Sequence, residues 1–368
     1  MWLQSLDVTD FRNINHAVLK PARHLTVLCG PNGQGKTNLL EAIWLLTGGK
    51  SFRGAKDLEM IRRGTEFAVL EAGFTAQERE QEMRLTVGSK QSQRPGRTVR
   101  LNGADRGRAA SVAGTFTAIA FDPNHLSLVK GGPEGRRRFL DAALCQLYPG
   151  YLGALRRYAR VTAQKNALLK AYDITPGANL LLDTYNESLV QYGAELMRRR
   201  ADYLAMLGPV AAANYRDISS AAETLEVRYQ PCCEPTSEGL ARKLAEMRGP
   251  EQRAGFCLTG PHREDMELLL DGQPGKIYGS QGQQRSAVLS LKLAEATVAG
   301  DILGEHPVML LDDVLSELDD ARQTYLLTRI EDKQTFVTTC DTAAFARTNG
   351  KLILVESGRT RDGETRLF

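Results

Sequence analysis

Long apolar runs are missing from this 368-residue sequence. No stretch approaches the roughly 18–20 apolar residues that cross a bilayer, which excludes a transmembrane helix. The first residues show neither a basic segment nor a long apolar core, so we expect a cytoplasmic protein without a secretion signal or a membrane partner. The six cysteines form no C-x-x-C pair, and no histidine lies at zinc-ligand spacing. We therefore expect scattered reduced thiols rather than a disulfide framework or a metal site.

A strong charge imbalance is missing as well. The formal net charge is +3, and a value this mild does not by itself indicate a polyanionic partner. The distribution is more informative, because the segment from Arg84 to Arg108 contains seven basic residues and one acid. Two arginine triplets follow, at 136–138 and 198–200. Each cluster alone is typical of a solvated surface, and the choice between that reading and nucleic-acid binding stays open at this point.

The pattern of apolar residues divides the chain into a mixed α/β part and a helical part. Strand-like segments dominate up to residue 121, and the dipeptide Asn102-Gly103 indicates a hairpin turn. From Arg136 to about Ala213, apolar residues recur at helix spacing. A turn-rich stretch and a short helix follow before α/β character returns at Gly255. The sequence therefore predicts a helical segment inserted into an α/β domain.

Residues 30–37, GPNGQGKT, fit the phosphate-binding pattern G-x-x-x-x-G-K-[ST]. The glycines let consecutive backbone N–H groups turn toward phosphate oxygens, and Lys36 is placed to reach the β and γ phosphates. The Thr37 hydroxyl is a candidate Mg²⁺ ligand. An apolar strand precedes the segment and a helix follows it, so the helix dipole favours an anion there. We predict a nucleoside triphosphate site, with a structural glycine turn as the weaker alternative.

An apolar run at 308–311 ends in two acids, Asp312 and Asp313. A buried strand that ends at the phosphates needs a carboxylate for the magnesium shell, and we assign that role to Asp312. Asp313 follows on the other side of the strand and is the candidate to position or deprotonate the attacking water. The alternative, two exposed loop carboxylates, is disfavoured by the apolar run that precedes them.

A glycine-rich loop at 279–285 precedes a helical segment, and its position between the phosphate-binding segment and Asp312 makes it informative. It resembles the signature motif of ABC-type ATPases, in which such a loop caps the γ-phosphate held by the partner subunit. The string SELD at 316–319 resembles the D-loop of that superfamily. Lys36 and Asp312 are far apart in the chain, and long insertions between these motifs are typical of SMC-like DNA-repair ATPases.

Longer strings make the resemblance more specific. They are DFRN at 10–13, NGQGKTNLLEA at 32–42, SFR at 51–53, LVKGGPEGRRRFLD at 128–141, GPHRED at 260–265 and DDVLSELD at 312–319. On these residues the chain resembles the RecF recombination mediator family nearly from end to end. The strings at 128–141 and 260–265 carry the specificity, because the phosphate-binding string alone would indicate only the superfamily.

The resemblance implies an α/β fold with an ABC-type P-loop ATPase head. This head, lobe I, would comprise residues 1–132 and 255–368, and a mainly helical lobe II at 133–254 would replace a coiled coil. It also implies a weak, DNA-stimulated ATPase that forms an ATP-dependent homodimer on double-stranded and gapped DNA. The family works in recombinational repair and replication with RecR and RecO, and helps to load the RecA recombinase.

The resemblance also implies residue roles. The nucleotide-binding positions would be Gly30, Pro31, Asn32, Gly33, Gln34, Gly35, Lys36, Thr37 and Asn38, with Arg12 and Asn13. The signature residues acting across the dimer would be Ser280, Gly282 and Gln283, and the D-loop residues Ser316 and Asp319. ATP and Mg²⁺ are the implied cofactors, with Thr37 and Asp312 as metal ligands and Asp313 as the catalytic carboxylate.

The chain departs from the ABC pattern in three places. Asp313 stands where ABC ATPases usually have a glutamate, and the shorter side chain fits slow hydrolysis. Residues 338–340, TTC, stand where many ABC proteins have a switch histidine, and no clear Q-loop glutamine lies near 118–123. The groups that sense the γ-phosphate are therefore unassigned.

The resemblance makes the basic clusters candidate DNA contacts, because duplex DNA is bound chiefly through its phosphates. The candidates are Arg94, Arg97, Arg100, Arg136, Arg137, Arg198 and Arg199. The triplet at 136–138 begins a helix with core positions, so we expect at least one of its members to be structural. His125 and His262 are expected to be ordinary hydrogen-bonded residues. Two other functions stay open: a nucleotide-binding subunit of another ABC-type machine, and a nucleotide-state sensor that binds protein partners.

Overall fold

The computed structural model describes residues 1–89, 91–93, 95–220, 222–341, 345 and 350–363. The chain falls into two compact units. The first unit is Met1–His125 with Glu295–Phe368, and the second unit is Leu126–Ala294. Over the described ranges, no helix combines the length and the apolar character that a membrane span requires.

The strands are β1 (Trp2–Phe11), β2 (Ile14–Leu19), β3 (Leu25–Cys29), β4 (Phe67–Ala76), β5 (Arg79–Gly88), β6 (Gly96–Leu101), β7 (Ala104–Arg108), β8 (Ala118–Phe121), β9 (Leu225–Gln230), β10 (Asp265–Leu270), β11 (Gln273–Pro274), β12 (Val308–Asp312), β13 (Thr335–Thr339), β14 (Gly350–Glu356) and β15 (Arg359–Asp362). The α-helices are α1 (Lys36–Leu45), α2 (Asp57–Met60), α3 (Ser127–Lys130), α4 (Pro133–Leu147), α5 (Tyr151–Lys170), α6 (Ala178–Ile218), α7 (Ser237–Glu246), α8 (Arg248–Ala254), α9 (Gly275–Tyr278), α10 (Gln281–Leu303) and α11 (Asp320–Arg329). Short 3₁₀ helices are Ala109–Val112, Pro123–Leu126, Tyr172–Ile174, Pro261–Arg263 and Leu315–Glu317.

A largely parallel sheet occupies the first unit, with the strand order β15-β14-β3-β13-β12-β8. Strands β14, β3, β13, β12 and β8 are parallel, and β15 is antiparallel to β14. The runs VMLLD in β12 and TFVTT in β13 are buried almost throughout, as expected for strands covered on both faces. The five parallel strands therefore present their carboxyl ends at one edge, where open α/β sheets bind ligands.

A second, antiparallel sheet in the first unit has the order β2-β1-β4-β5-β6-β7. In β5, Met83, Leu85 and Val87 are buried while the alternate Arg84 is exposed, so one face of the sheet is apolar and the other polar. The turn between β6 and β7 is Asn102-Gly103, with φ values of +52° and +76°. These values confirm the predicted hairpin, because a type I′ turn needs positive φ at both central residues.

The first unit has one apolar core, which joins the buried sides of both sheets to α1. Eight of the ten α1 residues are buried, and six of those eight are apolar, with Leu40 and Ile43 fully enclosed. Phe74 and Phe116 meet edge to face at 5.2 Å between ring centroids. This packing fixes α1 on the parallel sheet, with its first residue following directly on the loop after β3.

The second unit consists of long helices and a small sheet. Helices α4, α5 and α6 supply most of it, and the 41-residue α6 is the longest. They occupy the region for which the sequence predicts helices. The small sheet has the order β11-β10-β9 and is antiparallel.

The limits of the two units differ from those predicted for the two lobes. The first break falls after His125 rather than after residue 132, and the second falls after Ala294 rather than after residue 254. The pairing of β10 with β9, with Asp265 opposite Gln230, explains the later second break. This pairing ties residues 265–270 to the helical unit, although the return of strand character there predicts that they belong to the head.

Candidate nucleotide-binding site

The loop between β3 and α1 is the predicted phosphate-binding segment, and its path requires glycine at two positions. Gly35, the residue before α1, has a φ of +110°, which L side chains rarely adopt. A Cβ atom on Gly30 would lie 2.2 Å from the carbonyl oxygen of Val355 in β14. The loop therefore runs close to a neighbouring strand and then turns sharply into the helix.

Lys36 is the first residue of α1 and is only 8% exposed. Its ammonium group donates hydrogen bonds to the carbonyl oxygens of Gly30 and Pro31, the latter at 3.0 Å. The Cys340 Sγ atom lies 3.3 Å from Lys36 Nζ. The positive charge is thus held inside the loop, where it adds to the partial positive charge of the helix N-terminus. This combination attracts phosphate groups.

Thr37 and Asp312 meet at the carboxyl edge of the sheet, although 275 positions separate them in the chain. Thr37 Oγ1 donates a 2.7 Å hydrogen bond to Asp312 Oδ1, and Thr338 Oγ1 donates to the same oxygen at 2.9 Å. Burial raises the pKa of Asp312, while the two hydrogen bonds oppose that rise by favouring the carboxylate. The structure therefore brings together the two residues that the sequence proposes as metal ligands.

The chemistry of this pair fits a magnesium ion. Mg²⁺ prefers oxygen ligands, and in nucleotide sites it is bound through one or two protein oxygens together with water and phosphate oxygens. The Thr37 hydroxyl and the Asp312 carboxylate supply such oxygens within 2.7 Å of each other. A buried carboxylate with a raised pKa is also stabilised when a cation binds beside it.

Asp313 is exposed, in contrast to the buried Asp312. Its φ is +51°, a conformation that Asp tolerates better than most residues. Its backbone N–H donates to Thr338 Oγ1 at 2.9 Å, and its carbonyl oxygen accepts from Ser316 Oγ at 2.7 Å. The backbone is therefore held on both sides while the carboxylate stays accessible. Asp319 has a structural contact of its own, because its carboxylate caps α11 by accepting from the backbone N–H of Arg322 at 2.9 Å.

The two N-terminal candidates have different contacts. Asn13 Nδ2 donates to the carbonyl oxygen of Gly33 at 3.3 Å, and Asn13 Oδ1 accepts from Asn38 Nδ2 at 2.8 Å. Arg12 instead pairs with the fully buried Glu41 through two hydrogen bonds of 2.9 Å. Asn13 therefore touches the phosphate-binding loop directly, whereas the Arg12 guanidinium is bound to a carboxylate of α1.

The signature candidates lie at the start of α10. Ser280 Oγ accepts from the backbone N–H of Gln283 at 3.2 Å, and Gln283 Oε1 accepts from the backbone N–H of Ser280 at 2.8 Å. This reciprocal pair is a capping box, which fixes the loop onto the helix. Gln283 Nε2 also donates to Glu223 at 2.9 Å. Ser280 itself is exposed, and Gly282 lies in the first turn of the helix.

Comparison with known proteins identifies the family. Residues 2–361 match the family described as RecF/RecN/SMC N terminal domain. A protein of Symbiobacterium thermophilum named "DNA replication and repair protein RecF" is 39% identical over 351 residues, which are 93% of this chain and 92% of that protein. The chain belongs to the RecF family. A Bacillus subtilis protein of the same name is 36% identical over 349 residues, 92% of this chain and 93% of its own length.

Solved structures of RecF confirm the predicted fold class. One described as the recombination mediator protein RecF-ATP has a TM-score of 0.90 at 30% identity, and covers 98% of this chain and 97% of its own. Another, described as RecF-ATPrS, has a TM-score of 0.89 at 31% identity over 98% of both chains. An Smc head domain derived from Pyrococcus furiosus shares the fold, with a TM-score of 0.57 at 16% identity over 98% of this chain and 96% of its own. The fold is that of an ABC-type ATPase head with a helical unit.

Some predicted DNA contacts of this RecF-family chain are committed to internal contacts. Arg136 is 8% exposed and forms two 2.7 Å hydrogen bonds with Asp265, which gives at least one member of its triplet a structural role. Arg137 donates to the carbonyl oxygen of Glu264 at 2.6 Å. Arg97 pairs with Asp57 at 3.1 Å and also bonds the carbonyl oxygen of residue 49. These three guanidinium groups stabilise the folded chain through internal hydrogen bonds and ion pairs.

The remaining candidates are more accessible. Arg100 is exposed. Arg198 is exposed and lies 3.8 Å from the Asp202 carboxylate, while the Arg199 guanidinium lies over the Tyr148 ring at 4.5 Å. Arg94 falls outside the described residues. The role of these four in DNA binding stays a prediction.

Sequence reasoning missed two residues at the carboxyl edge. Cys340 follows β13, and its Sγ atom donates to Asn32 Oδ1 at 3.1 Å in addition to its contact with Lys36. Asp122 follows β8, is 7% exposed, and raises the pKa of Asp312 through its charge, less than burial does. Their position in the sheet could have identified both residues, because any polar residue that directly follows a parallel strand lies at this edge.

Proposed function

We propose that this chain is a DNA-repair ATPase of the RecF type, whose dimer closes on double-stranded DNA when it binds ATP. The observation that carries the proposal is the 2.7 Å contact between Thr37 and Asp312 next to the enclosed ammonium of Lys36. An ammonium, a hydroxyl and a carboxylate are the groups that a magnesium–triphosphate complex needs for binding. Neighbours described as RecF-ATP and RecF-ATPrS support the choice of nucleotide.

ATP binding would use the loop of residues 30–38. Its backbone N–H groups and the N-terminus of α1 bind the phosphate oxygens, and Lys36 exchanges its carbonyl partners for β- and γ-phosphate oxygens. Thr37 and Asp312 would hold Mg²⁺, which supplies neutralisation of the charge that develops on the phosphates. Asp313 then orients the attacking water through its exposed carboxylate. A side chain one methylene shorter than glutamate fits slow turnover.

The signature loop would act on the ATP of the second subunit. Ser280 is exposed and its loop is fixed by the capping box to the start of α10, a 23-residue helix. An accessible serine hydroxyl at a helix N-terminus binds phosphate oxygens well. In the dimer, Ser280, Gly282 and Gln283 of each subunit close over the γ-phosphate of the other, and hydrolysis removes the group that joins them. The D-loop residue Ser316 supports Asp313 from its own subunit.

The nucleic-acid part of the proposal rests on the relatives. Their names, "DNA replication and repair protein RecF" and "recombination mediator protein RecF" in the RecFOR pathway, indicate recombinational repair. We infer that the ATP dimer binds double-stranded DNA at gaps, that DNA stimulates the weak ATPase, and that RecR and RecO join it in loading RecA. The site of action would be the cytoplasm. Exposed cations such as Arg100 and Arg198 are available for phosphate contacts.

Analytical sedimentation tests the dimer. The wild-type chain should sediment as a dimer with a non-hydrolysable ATP analogue and duplex DNA, and as a monomer with ADP. Ser280→Arg should bind ATP yet remain monomeric, because the large side chain blocks the closing of the loop. Lys36→Arg should not form the ATP dimer, since its guanidinium does not fit where the ammonium bonds Pro31. A Ser280→Arg protein that dimerises normally with ATP contradicts closure by the signature loop.

A second test addresses hydrolysis. Asp313→Asn keeps the backbone contacts of Asp313 and removes the charge that orients water. Turnover should fall by about 100-fold or more, the usual contribution of a positioned base, while ATP binding stays within about twofold. The ATP dimer should then persist on DNA. Unchanged turnover would remove Asp313 from the catalytic machinery.

A further inference from the structure

The exposed side of α5 has an unusual composition. Helix α5 contains no acidic residue, and its exposed positions are Gly153, Arg156, Arg157, Ala159, Arg160, Ala163, Gln164, Ala167 and Lys170. They comprise four cations, one glutamine and four glycine or alanine residues. The one remaining cation of the helix, Lys165, is fully buried on the opposite side and lies 2.6 Å from the Glu251 carboxylate. The buried charge is therefore neutralised within the unit.

The four exposed cations of α5 are not paired with acids. Among the described residues, no carboxylate lies within 4 Å of Arg156, Arg157, Arg160 or Lys170. Of these four cations, Arg157 alone has an aromatic contact within the described part of the chain, its guanidinium lying 5.7 Å from the centre of the Tyr192 ring. Several cations elsewhere in the second unit do pair with a carboxylate, namely the exposed Arg138, Arg198, Arg228 and Arg242 and the partly exposed Lys243 and Arg248.

The dimensions of this surface match a nucleic-acid backbone. From Arg156 to Lys170 the helix rises about 21 Å, at 1.5 Å per residue. Duplex DNA presents one negative charge per about 1.7 Å of its axis, so several phosphates lie within that length. The exposed alanines between these cations have small side chains, so a phosphate backbone can approach the helix closely. Guanidinium groups bind phosphate oxygens in pairs, which favours three arginines in this role.

We propose that Arg156, Arg157, Arg160 and Lys170, here called the α5 basic face, bind the sugar-phosphate backbone of duplex DNA. This inference rests on the proposed function, in which the chain binds DNA, and it names a surface that the basic clusters of the sequence do not include. The face carries no apolar side chain larger than alanine, so it lacks the anchors that protein interfaces use. Backbone contacts of this kind fix the position on DNA without reading its sequence.

The salt dependence of DNA binding tests the proposal. We would replace Arg156, Arg157 and Arg160 together by glutamine in the full-length chain and titrate a fluorescent duplex with ATP analogue at several salt concentrations. The logarithm of the binding constant falls with the logarithm of the salt concentration by about 0.9 per phosphate contact, so loss of three contacts should reduce the slope by about 2 to 3. A control chain with Arg138→Gln, Arg228→Gln and Arg242→Gln removes three exposed, paired charges from the same unit and should keep the wild-type slope.

The outcomes separate this inference from the proposed function. A reduced slope in the α5 variant alone, with its ATP-dependent dimer intact, supports the α5 basic face. A wild-type slope in that variant overturns it while the DNA-binding function stands. If the α5 variant loses binding to polyglutamate but binds the duplex like the wild-type chain, the proposal is also overturned, and the face is assigned to an acidic polypeptide. If the wild-type chain itself shows no ATP-dependent duplex binding, the proposed function fails and this inference fails with it.

Discussion

Each of the two units buries charged side chains, and their charges are satisfied in different ways. In the first unit, Lys36 and Asp312 are both 8% exposed and lie at the carboxyl edge of the parallel sheet. The Lys36 ammonium is bound by two backbone carbonyl oxygens and a thiol, and no carboxylate of the described ranges pairs with it. Asp312 receives two hydroxyl groups and has no cation within ion-pair distance among the described residues. Opposite charges are thus buried in one site without neutralising each other.

In the second unit, the buried charges neutralise one another. Arg200 is 2% exposed and donates to Asp141 at 2.8 Å and to Glu264 at 3.1 Å. Burial alone would lower the pKa of Arg200, but the two carboxylates outweigh it and raise the pKa. Tyr151 donates to the same oxygen of Asp141 at 2.6 Å, and Tyr229 donates to Glu264 at 2.7 Å. We call these five residues the Arg200 cluster.

The contrast shows why burial of charge alone does not identify a functional site. The Arg200 cluster is closed, because its cation, its two carboxylates and its two tyrosine hydroxyls bind one another. Lys36, Asp312 and the neutral groups that bind them are here called the open group. It is open because a phosphate or a metal ion can replace these neutral partners. A ligand with both negative charge and a bound cation completes the open group, whereas any ligand would disrupt the closed one. The predictions below separate the two by stability and by ligand binding.

The largest expected effect follows from opening the closed cluster. Arg200→Ala leaves the buried carboxylate of Glu264 and the partly buried carboxylate of Asp141 without their cation, and breaking a buried ion pair in this way costs about 3–5 kcal/mol of unfolding free energy. Urea unfolding followed by far-UV circular dichroism measures the loss. Arg198→Ala, two residues away in α6, removes an exposed pair and should cost less than about 1 kcal/mol. Equal effects of the two substitutions would show that the cluster is not closed.

The next effect is the pH dependence of a partly buried histidine in the second unit. His262 Nδ1 lies 2.7 Å from the Tyr158 hydroxyl, and Nε2 lies 3.3 Å from the carbonyl oxygen of Cys257. Burial lowers the pKa of His262 to about 4, from an ordinary value of 6.5. Since the unfolded chain takes up this proton first, the stability that the neutral ring contributes is present above pH 6.5. It is lost as the pH falls toward 4, by roughly 3 kcal/mol in total.

His262→Gln should remove this part of the pH dependence. Unfolding free energies measured at intervals between pH 7 and pH 4 should therefore fall more steeply for the wild-type chain than for the variant. His16→Gln changes an exposed histidine of the first unit and serves as the matched control. A wild-type chain and a His262→Gln variant with parallel pH profiles would mean that His262 takes up its proton in the folded state as easily as in the unfolded one.

Most of the first unit could be predicted from local sequence patterns. The strand at 118–121, the helix that follows Gly35 and the hairpin at Asn102-Gly103 are all short-range features, set by apolar runs and by turn residues. The end of the second unit at Ala294, rather than at residue 254, could not be predicted in this way. It depends on the pairing of β10 with β9, and the alternation of apolar residues in a strand does not say which strand it pairs with.

The same distinction applies to the candidate site. The contact of Thr37 with Asp312 was predictable, because both residues belong to motifs whose chemistry requires them to meet. A structural role for one arginine of the triplet at 136–138 was predictable from the core positions of its helix, but the Asp265 partner of Arg136 was not, since it lies 129 positions away and no local pattern links the two. Cys340 was missed for a related reason, because its importance comes from the adjacent strand order and not from its neighbours in the chain.

The smallest expected effect concerns Cys340, which lies in the open group. Cys340→Ser keeps a small polar group beside Lys36 and Asn32, so ATP affinity should change by less than about tenfold, the worth of one hydrogen bond. Alkylation of the exposed wild-type thiol by N-ethylmaleimide places bulk 3.3 Å from Lys36 Nζ and should abolish ATP binding. Bound ATP should slow the reaction, and Cys340→Ser should resist it. Inactivation of Cys340→Ser at the wild-type rate would place the reactive thiol elsewhere, whereas protection by ATP would show that the open group is the one a nucleotide completes.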